Sequence, residues 1–194
     1  MKNKLSFSLF VYFFILVFLA LGTWQIIRLN WKLDLINSID QSLKSDPVEF
    51  NGSNPINFKK IKFEGILDNS KIIYLYSLNE KGEPGFDIVN PVSINNKSYL
   101  INRGWVPRDL KSKKYVSNEN KFEGVLKLKS KFNYFKPDND VNKNYWFTLK
   151  DEDLLTYTGK EFSPFIINNI SKQEGIYPQS KQIGANISIN HFKY

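Results

Sequence analysis

A chain of 194 residues has room for one domain and an appendage, and its 27 Lys and Arg against 19 Asp and Glu give a net charge of +8. Cys is absent and Met and His occur once each, which excludes disulfides, zinc ribbons, thiol catalysis and copper carriers of the ordinary type. The basic residues are mostly scattered Lys without the clustered face of a nucleic-acid binder, so we expect no nucleic-acid partner and favour attraction to anionic lipid headgroups.

The amino-terminal segment is apolar enough to enter a membrane. Residues 5–27 carry no charge, and at a rise of about 1.5 Å per residue this stretch covers the hydrocarbon core of a bilayer. Lys2 and Lys4 precede it, which suits a cytoplasmic amino terminus, and Trp24 stands where an interfacial anchor belongs. We therefore predict a transmembrane helix over residues 1–30.

A cleaved signal peptide is the alternative interpretation of this segment. Ala20-Leu21-Gly22 has the small-x-small pattern of a cleavage site. The apolar stretch is longer than the core of an ordinary signal peptide and continues through Ile26-Ile27, which favours an uncleaved anchor.

A helical pattern continues beyond the membrane segment. Trp31, Leu35 and Ile39 recur at four-residue spacing, with charged residues between them. We predict a helical stalk over residues 31–46 that ends at Asp46-Pro47, because the residue before Pro avoids the α region.

The remainder, residues 47–194, has the alternation and turn residues of a β-rich domain. Segments with the composition of β-strands at 58–67 and 71–78 flank Asp68-Asn69-Ser70 and predict a hairpin. Similar segments at 86–94 and 97–103 flank Asn95-Asn96 and predict a second hairpin with a tighter turn.

A short helix and two more strands are predicted further along the chain. Residues 122–132 and 164–170 have the composition of strands, and residues 151–158, with acids at the start and Gly159 at the close, have that of a helix. The predicted fold class is α+β, with an antiparallel β-rich domain on a membrane stalk.

The stretch Asn102-Arg103-Gly104-Trp105 combines an Arg and a Trp around a Gly at the end of a predicted strand. One interpretation is structural: Gly104 supplies a backbone angle that other residues avoid, and Trp105 packs on the core. The other is a recognition surface made of a stacked Arg and Trp.

The search for reactive groups gives few candidates. The sequence shows no Gly-rich phosphate loop and no nucleophile–base pair, so we expect a protein that is not an enzyme. His191 is the one residue with latent coordination chemistry: it is either solvated or an axial ligand to haem iron.

Several separated motifs together resemble one family. They are Leu21-Gly22-Thr23-Trp24-Gln25 followed by Arg28 and Lys32, Pro84-Gly85-Phe86, residues 100–107, Phe135-Lys136-Pro137 with Asn139 and Trp146-Phe147, and Asn190-His191-Phe192-Lys193-Tyr194. In this order they resemble the Surfeit-locus-1 family of cytochrome c oxidase assembly proteins, over nearly the whole chain.

The resemblance implies an inner-membrane protein whose domain lies on the periplasmic or intermembrane-space side. It implies a role in assembling cytochrome c oxidase by assisting delivery of haem a to the catalytic subunit, with that subunit, the haem a supply machinery and membrane lipid as partners. His191 matches the candidate haem ligand of the family. Trp24, Gln25, Arg103 and Trp105 match its motifs and are the further cofactor-binding candidates, with Arg103 suited to a propionate and Trp105 to the macrocycle.

The family's second transmembrane helix has no counterpart after Tyr194. The chain as given is therefore expected to be single-pass, and a longer gene product two-pass. The alternative function is a scaffold that stabilises an oxidase assembly intermediate without binding haem.

Overall fold

A computed structural model of the protein describes residues 2–130 and 135–177. The chain divides into two compact units, Met1–Asp40 and Gln41–Tyr194. The first unit contains most of a single long helix, and the second contains a sheet and a short helix.

Helix α1 extends from Lys2 to Lys44 as one continuous element, so the predicted membrane segment and the predicted stalk form a single helix. It ends shortly before Pro47, as expected from the conformational restriction that Pro places on its neighbour. Its apolar side chains are exposed, with Phe10, Leu16 and Phe18 each about three-fifths or more accessible.

By length and composition, α1 is able to cross a membrane within Phe7–Ser42. Its exposed apolar surface fits a hydrocarbon environment and agrees with the predicted anchor. A signal sequence would meet the same criteria of length and composition.

In the described ranges, the second unit contains one eight-stranded sheet. Its strands are β1 Val48–Glu49, β2 Lys60–Glu64, β3 Ile66–Leu67, β4 Ile73–Leu78, β5 Pro84–Ile94, β6 Lys97–Pro107, β7 Lys121–Leu128 and β8 Phe165–Asn169. Their order in the sheet is β1-β2-β7-β8-β6-β5-β3, and β4 also pairs with β5. Helix α2, Asp151–Thr158, precedes β8.

The sheet is mixed rather than purely antiparallel, which corrects the predicted fold class. Strand β1 pairs with β2 in parallel, and β6 pairs with β8 in parallel. The second of these pairs arises because β8 inserts between β6 and β7 after a long crossover that includes β7 and α2. The α+β class itself holds, with α2 as the helical element of this unit.

The tight hairpin predicted around Asn95-Asn96 is confirmed. Strands β5 and β6 pair from Ile94↔Lys97 outward, and the two turn residues have φ angles of 45° and 64°. Asn tolerates this left-handed conformation better than most residues, so the turn sequence and the strand register agree.

The hairpin predicted around Asp68-Asn69-Ser70 does not form. Strands β3 and β4 instead pair one after the other with β5. Two hydrogen bonds account for this: the Asp68 carboxylate accepts the Ser70 amide at 3.1 Å, and the Asp68 amide donates to the distant Pro91 carbonyl of β5 at 2.9 Å. These bonds kink the chain while keeping it alongside β5.

Apolar residues cover both faces of the sheet because neighbouring strand residues point to opposite faces. One cluster includes Ile101 and Ile167, and another includes Leu100 and Ile166 together with Trp146 and Leu154 of the segment that contains α2. The central strands β6 and β8 therefore have a packed layer on each side.

Candidate functional site

The Asn-Arg-Gly-Trp stretch lies within β6 and forms a β-bulge, where the sequence had predicted a strand end. Asp87 pairs with Trp105 and Val89 with Asn102, so a single residue of β5 faces both Arg103 and Gly104. Gly104 has a φ angle of 129°, and a Cβ added there would lie 2.6 Å from the Tyr177 carbonyl oxygen. The glycine is therefore required by both conformation and space.

The bulge directs Arg103 into the interior, where the residue is only 4% exposed. Its Nε donates to the Gln173 Oε1 at 2.8 Å, and its Nη1 donates to the Asn90 Oδ1 at 3.4 Å and to the Tyr115 carbonyl. Burial lowers the pKa of Arg103 from its ordinary value, and the negative charge of Glu119 opposes that shift.

This network ties β6 to two neighbouring loop segments, so the Arg103 guanidinium contributes to holding the domain together. Gln173, which accepts from Arg103, donates in turn to the Glu119 carboxylate at 2.8 Å. A buried cation with neutral acceptors needs such a complete set of partners. The assignment of Arg103 to a propionate stays a prediction.

Trp105 is 5% exposed and packs across a glycine. A Cβ at Gly85 would lie 2.4 Å from the Trp105 ring, so the Pro84-Gly85-Phe86 motif makes room for the indole. The indole Nε1 donates to the Ser77 carbonyl at 3.3 Å, and the Trp105 backbone pairs with Tyr177 through bonds of 2.7 and 2.8 Å. These contacts explain why the Pro84-Gly85-Phe86 motif and the Asn-Arg-Gly-Trp stretch occur in the same chain.

A surface cavity of about 950 Å³ opens beside Trp105. We call it the Trp105 groove; its lining residues are Asn79, Glu80, Lys81, Glu83, Pro84, Trp105, Pro107, Arg108, Asp109 and Tyr177. Tyr177 is 59% exposed, so an aromatic face is available at the surface. Two aromatic rings and two prolines beside charged residues of both signs suit a flat amphipathic ligand or a peptide.

Of the residues that line this groove, Trp105 alone was predicted from the sequence as a site residue, and two of the others contribute most to its chemistry. Arg108 directly follows the Trp-Val-Pro motif, and a reading of the motif that extended one residue further would have included it. Tyr177 lies in a loop with no motif of its own, and it reaches the groove through its pairing with Trp105.

Trp24 and Gln25 lie on α1, in the first unit, and both are exposed. The Trp24 side chain is 50% accessible, and the Arg28 guanidinium lies 5.4 Å from the centroid of its ring. A Trp beside an Arg near the end of the apolar segment agrees with an interfacial position. Their part in cofactor binding stays a prediction.

His191 lies outside the described residues, as does the whole Asn190-His191-Phe192-Lys193-Tyr194 motif. Within residues 2–130 and 135–177, no group of three or more His, Cys, Asp or Glu side chains is arranged to hold a metal ion. The coordination role predicted for His191 therefore stays a prediction.

Comparison with known proteins gives a consistent family assignment. The family model described as "SURF1 family" matches residues 12–194. Surfeit locus protein 1 of Takifugu rubripes is 28% identical, over 73% of this chain and 70% of its own length. The protein of the same name from Gallus gallus is 29% identical, over 73% and 54% respectively. A SURF1-like protein of Rickettsia conorii is 28% identical, over 98% of this chain and 83% of its own length.

Proposed function

Because this chain belongs to the SURF1 family, we propose that it is a membrane-anchored assembly factor for cytochrome c oxidase that assists delivery of haem a to the catalytic subunit. The observation that carries the proposal is the family match over residues 12–194, which includes most of the apolar helix and the Asn-Arg-Gly-Trp motif. The further partners under this proposal are the machinery that supplies haem a and the membrane lipid around α1.

The proposed location is the inner membrane, with the domain on the periplasmic or intermembrane-space side. Lys2 and Lys4 before the apolar segment support a cytoplasmic amino terminus, and a long downstream domain can be translocated despite its charge. The continuous helix α1 supplies the anchor in this arrangement.

The chemistry of the Trp105 groove fits part of a haem. The exposed Tyr177 ring offers a face for stacking, and Arg108 offers a guanidinium for a propionate. Iron ligation would fall to His191, the chain's single histidine. Haem a would bring the redox-active iron, while the protein would hold the group and exclude water until transfer.

The test is reconstitution of the full chain in detergent with haem A, followed by absorption spectroscopy in the Soret region. We expect a shifted Soret band with the unmodified protein and its loss in His191→Ala. Lys193→Ala, a change two residues away, is the matched control and should retain the band. Equal spectra for the unmodified protein and His191→Ala would remove this histidine from the proposal.

A second candidate function, a scaffold that stabilises an oxidase assembly intermediate without haem, is favoured by one observation. Arg103 and Trp105, the most distinctive motif residues, are both buried and bonded within the domain. A scaffold would co-purify with oxidase subunits and carry no pigment, whereas a haem carrier would carry pigment when haem A is supplied.

A further inference from the structure

A row of polar residues crosses the centre of the sheet. Asp87 of β5, Asn102 of β6 and Asn168 of β8 are 5%, 4% and 3% exposed, and Lys127 of β7 follows on the next strand. By strand alternation they occupy the same face as Leu100 and Ile166, the face on which Trp146 and Leu154 pack. Polar side chains so deep in a packed face require a specific reason.

Hydrogen bonds join members of this row to one another and to Ser77. The Asp87 Oδ1 accepts from the Ser77 hydroxyl at 2.8 Å, and its Oδ2 accepts from the Asn102 amide at 3.4 Å. Asn102 and Asn168 are direct register partners in the parallel pair of β6 and β8. The row is thus a preorganised line of hydrogen-bonding groups rather than a set of isolated polar residues.

The row borders a cavity of about 150 Å³, which we call the polar pocket. Asp87, Asn102, Lys127, Lys136, Thr148 and Asn168 are among the residues that line it. The Thr148 hydroxyl is buried, and among the described residues it has no hydrogen-bond partner. Such a group is destabilising unless a ligand or solvent satisfies it.

The charge around the polar pocket is predominantly positive. Lys127, Lys129 and Lys136 line it together with the single acid Asp87. Lys129 pairs with Asp151, and the Lys136 ammonium donates to the Phe147 carbonyl at 3.3 Å. Burial lowers the pKa of Lys127, and an anion beside it would favour its charged form.

We propose that the polar pocket is a binding site for a carboxylate group. A carboxylate has only acceptor atoms, which complements the ammonium of Lys127 and the hydroxyl of Thr148. A volume near 150 Å³ holds a carboxylate with a short carbon chain. The polar pocket shares no lining residue with the Trp105 groove, so this site is additional to the one considered above.

The carboxylate can come from a free small acid or from the side arm of a larger molecule such as a porphyrin. The first arm of the experiment measures thermal unfolding of the full chain in detergent with acetate, propionate or succinate, against chloride at equal ionic strength. We expect a saturable rise of the melting temperature with at least one of these acids, because a ligand that binds the folded state stabilises it by mass action.

Two variants locate the site. Lys127→Met should weaken the carboxylate effect about tenfold or more, since a charge-assisted bond is lost. Thr148→Val should also weaken it, while raising the melting temperature of the ligand-free protein, because the buried hydroxyl is replaced by a methyl group of similar size. In Thr148→Val the ligand-free protein should thus become more stable while the carboxylate effect becomes weaker. A purely structural role of the hydroxyl would not produce both changes.

Lys121→Met is the matched control. Lys121 lies at the other end of β7, is 78% exposed and pairs with Glu64 at 3.4 Å, so its loss should leave the carboxylate effect unchanged. The absence of a saturable rise with all three acids, or an equal rise in Lys127→Met, would overturn the proposal.

The second arm distinguishes the source of the carboxylate and rests on the proposed haem function. Haemin and its dimethyl ester, whose propionates are blocked, are compared by spectroscopic titration. If a porphyrin propionate is the ligand of the polar pocket, haemin should bind more tightly than the ester, and Lys127→Met should reduce that difference to the part that Arg108 of the Trp105 groove supplies. If both porphyrins bind equally and a small acid raises the melting temperature in the first arm, the ligand of the polar pocket is a free acid.

Discussion

Gly104 shows how strongly one position can depend on the absence of a side chain. Its φ angle is 129°, and a Cβ would lie 2.6 Å from a backbone oxygen that cannot move without breaking the Trp105–Tyr177 pairing. We expect Gly104→Ala to lower the free energy of unfolding by about 2 kcal/mol or more, measured by chemical denaturation of the full chain in detergent.

Gly82 provides the control for this change. Its φ angle is also positive, at 84°, but a Cβ added there would have nothing within 4 Å. Gly82→Ala should therefore report the conformational cost alone, about 1 kcal/mol. Equal losses in the two variants would show that close packing at Gly104 contributes nothing.

Arg103 should affect stability through the shape of its guanidinium as well as its charge. Lysine retains the charge but cannot donate to Gln173, Asn90 and Tyr115 from one planar group. We expect Arg103→Lys to cost about 2 kcal/mol in urea unfolding. Arg108→Lys, in the Trp105 groove, should stay within about 0.5 kcal/mol of the unmodified protein.

Asp68 should make stability depend on pH. Hydrogen bonds from the Ser70 side chain and then its backbone, with Lys160 nearby, lower the pKa of Asp68 below 3.8, although burial opposes them. The folded state thus favours the ionised form, and the stability this provides is present above pH 3.8 and is lost as the pH falls through the folded pKa.

The measurement compares thermal unfolding of the unmodified protein and Asp68→Asn as the pH is lowered. At neutral pH the variant should be the less stable, and the difference should shrink as Asp68 becomes protonated. A difference that stayed constant to the lowest pH would show that the carboxylate charge has no role.

At the scale of the elements, the β5–β6 hairpin allows a test of turn conformation. Asn96 has a φ angle of 64°, which glycine adopts without strain and alanine does not. We expect Asn96→Gly to be neutral or stabilising by a few tenths of a kcal/mol and Asn96→Ala to cost about 1 kcal/mol. Equal melting temperatures for Asn96→Gly and Asn96→Ala would contradict a left-handed conformation at residue 96.

Elements specified by local sequence could be predicted, and pairings between distant segments could not. The sequence shows the three acids in the first turn of helix α2 and the glycine that follows it, and in the structure this Gly159 has a φ angle of 72°. The insertion of β8 between β6 and β7 depends on contacts far apart in the chain, which no local pattern encodes. The kink at Asp68 was mistaken for a hairpin for the same reason.

The sequence pattern singles out Arg103 and Trp105, and their role in a functional site stays a prediction. Their burial depends on a one-residue bulge that the pattern does not show. The polar pocket was missed because Asp87, Asn102 and Asn168 come from three separate strands, and each alone resembles an ordinary polar residue in a strand. Only the register of the sheet brings them into line.

For the whole molecule, the length and exposure of α1 lead to a prediction about processing. The apolar segment extends without a break into the rest of the helix, so we expect it to remain attached. Intact mass spectrometry of the membrane-extracted protein should show an amino terminus at or next to Met1, and carbonate washing should leave the protein in the membrane. A mature chain starting at Thr23 would establish the cleaved alternative.

The position of β8 has a consequence for how the protein is made. Strands β1, β2 and β7 form one block of the sheet and β3, β4, β5 and β6 another, and β8 is the strand that pairs with both blocks. During synthesis, each block therefore keeps an open edge until residue 169 has left the ribosome. A ribosome that stalls before this point would release two half-sheets prone to aggregation, so the last steps of synthesis should limit the yield of folded protein.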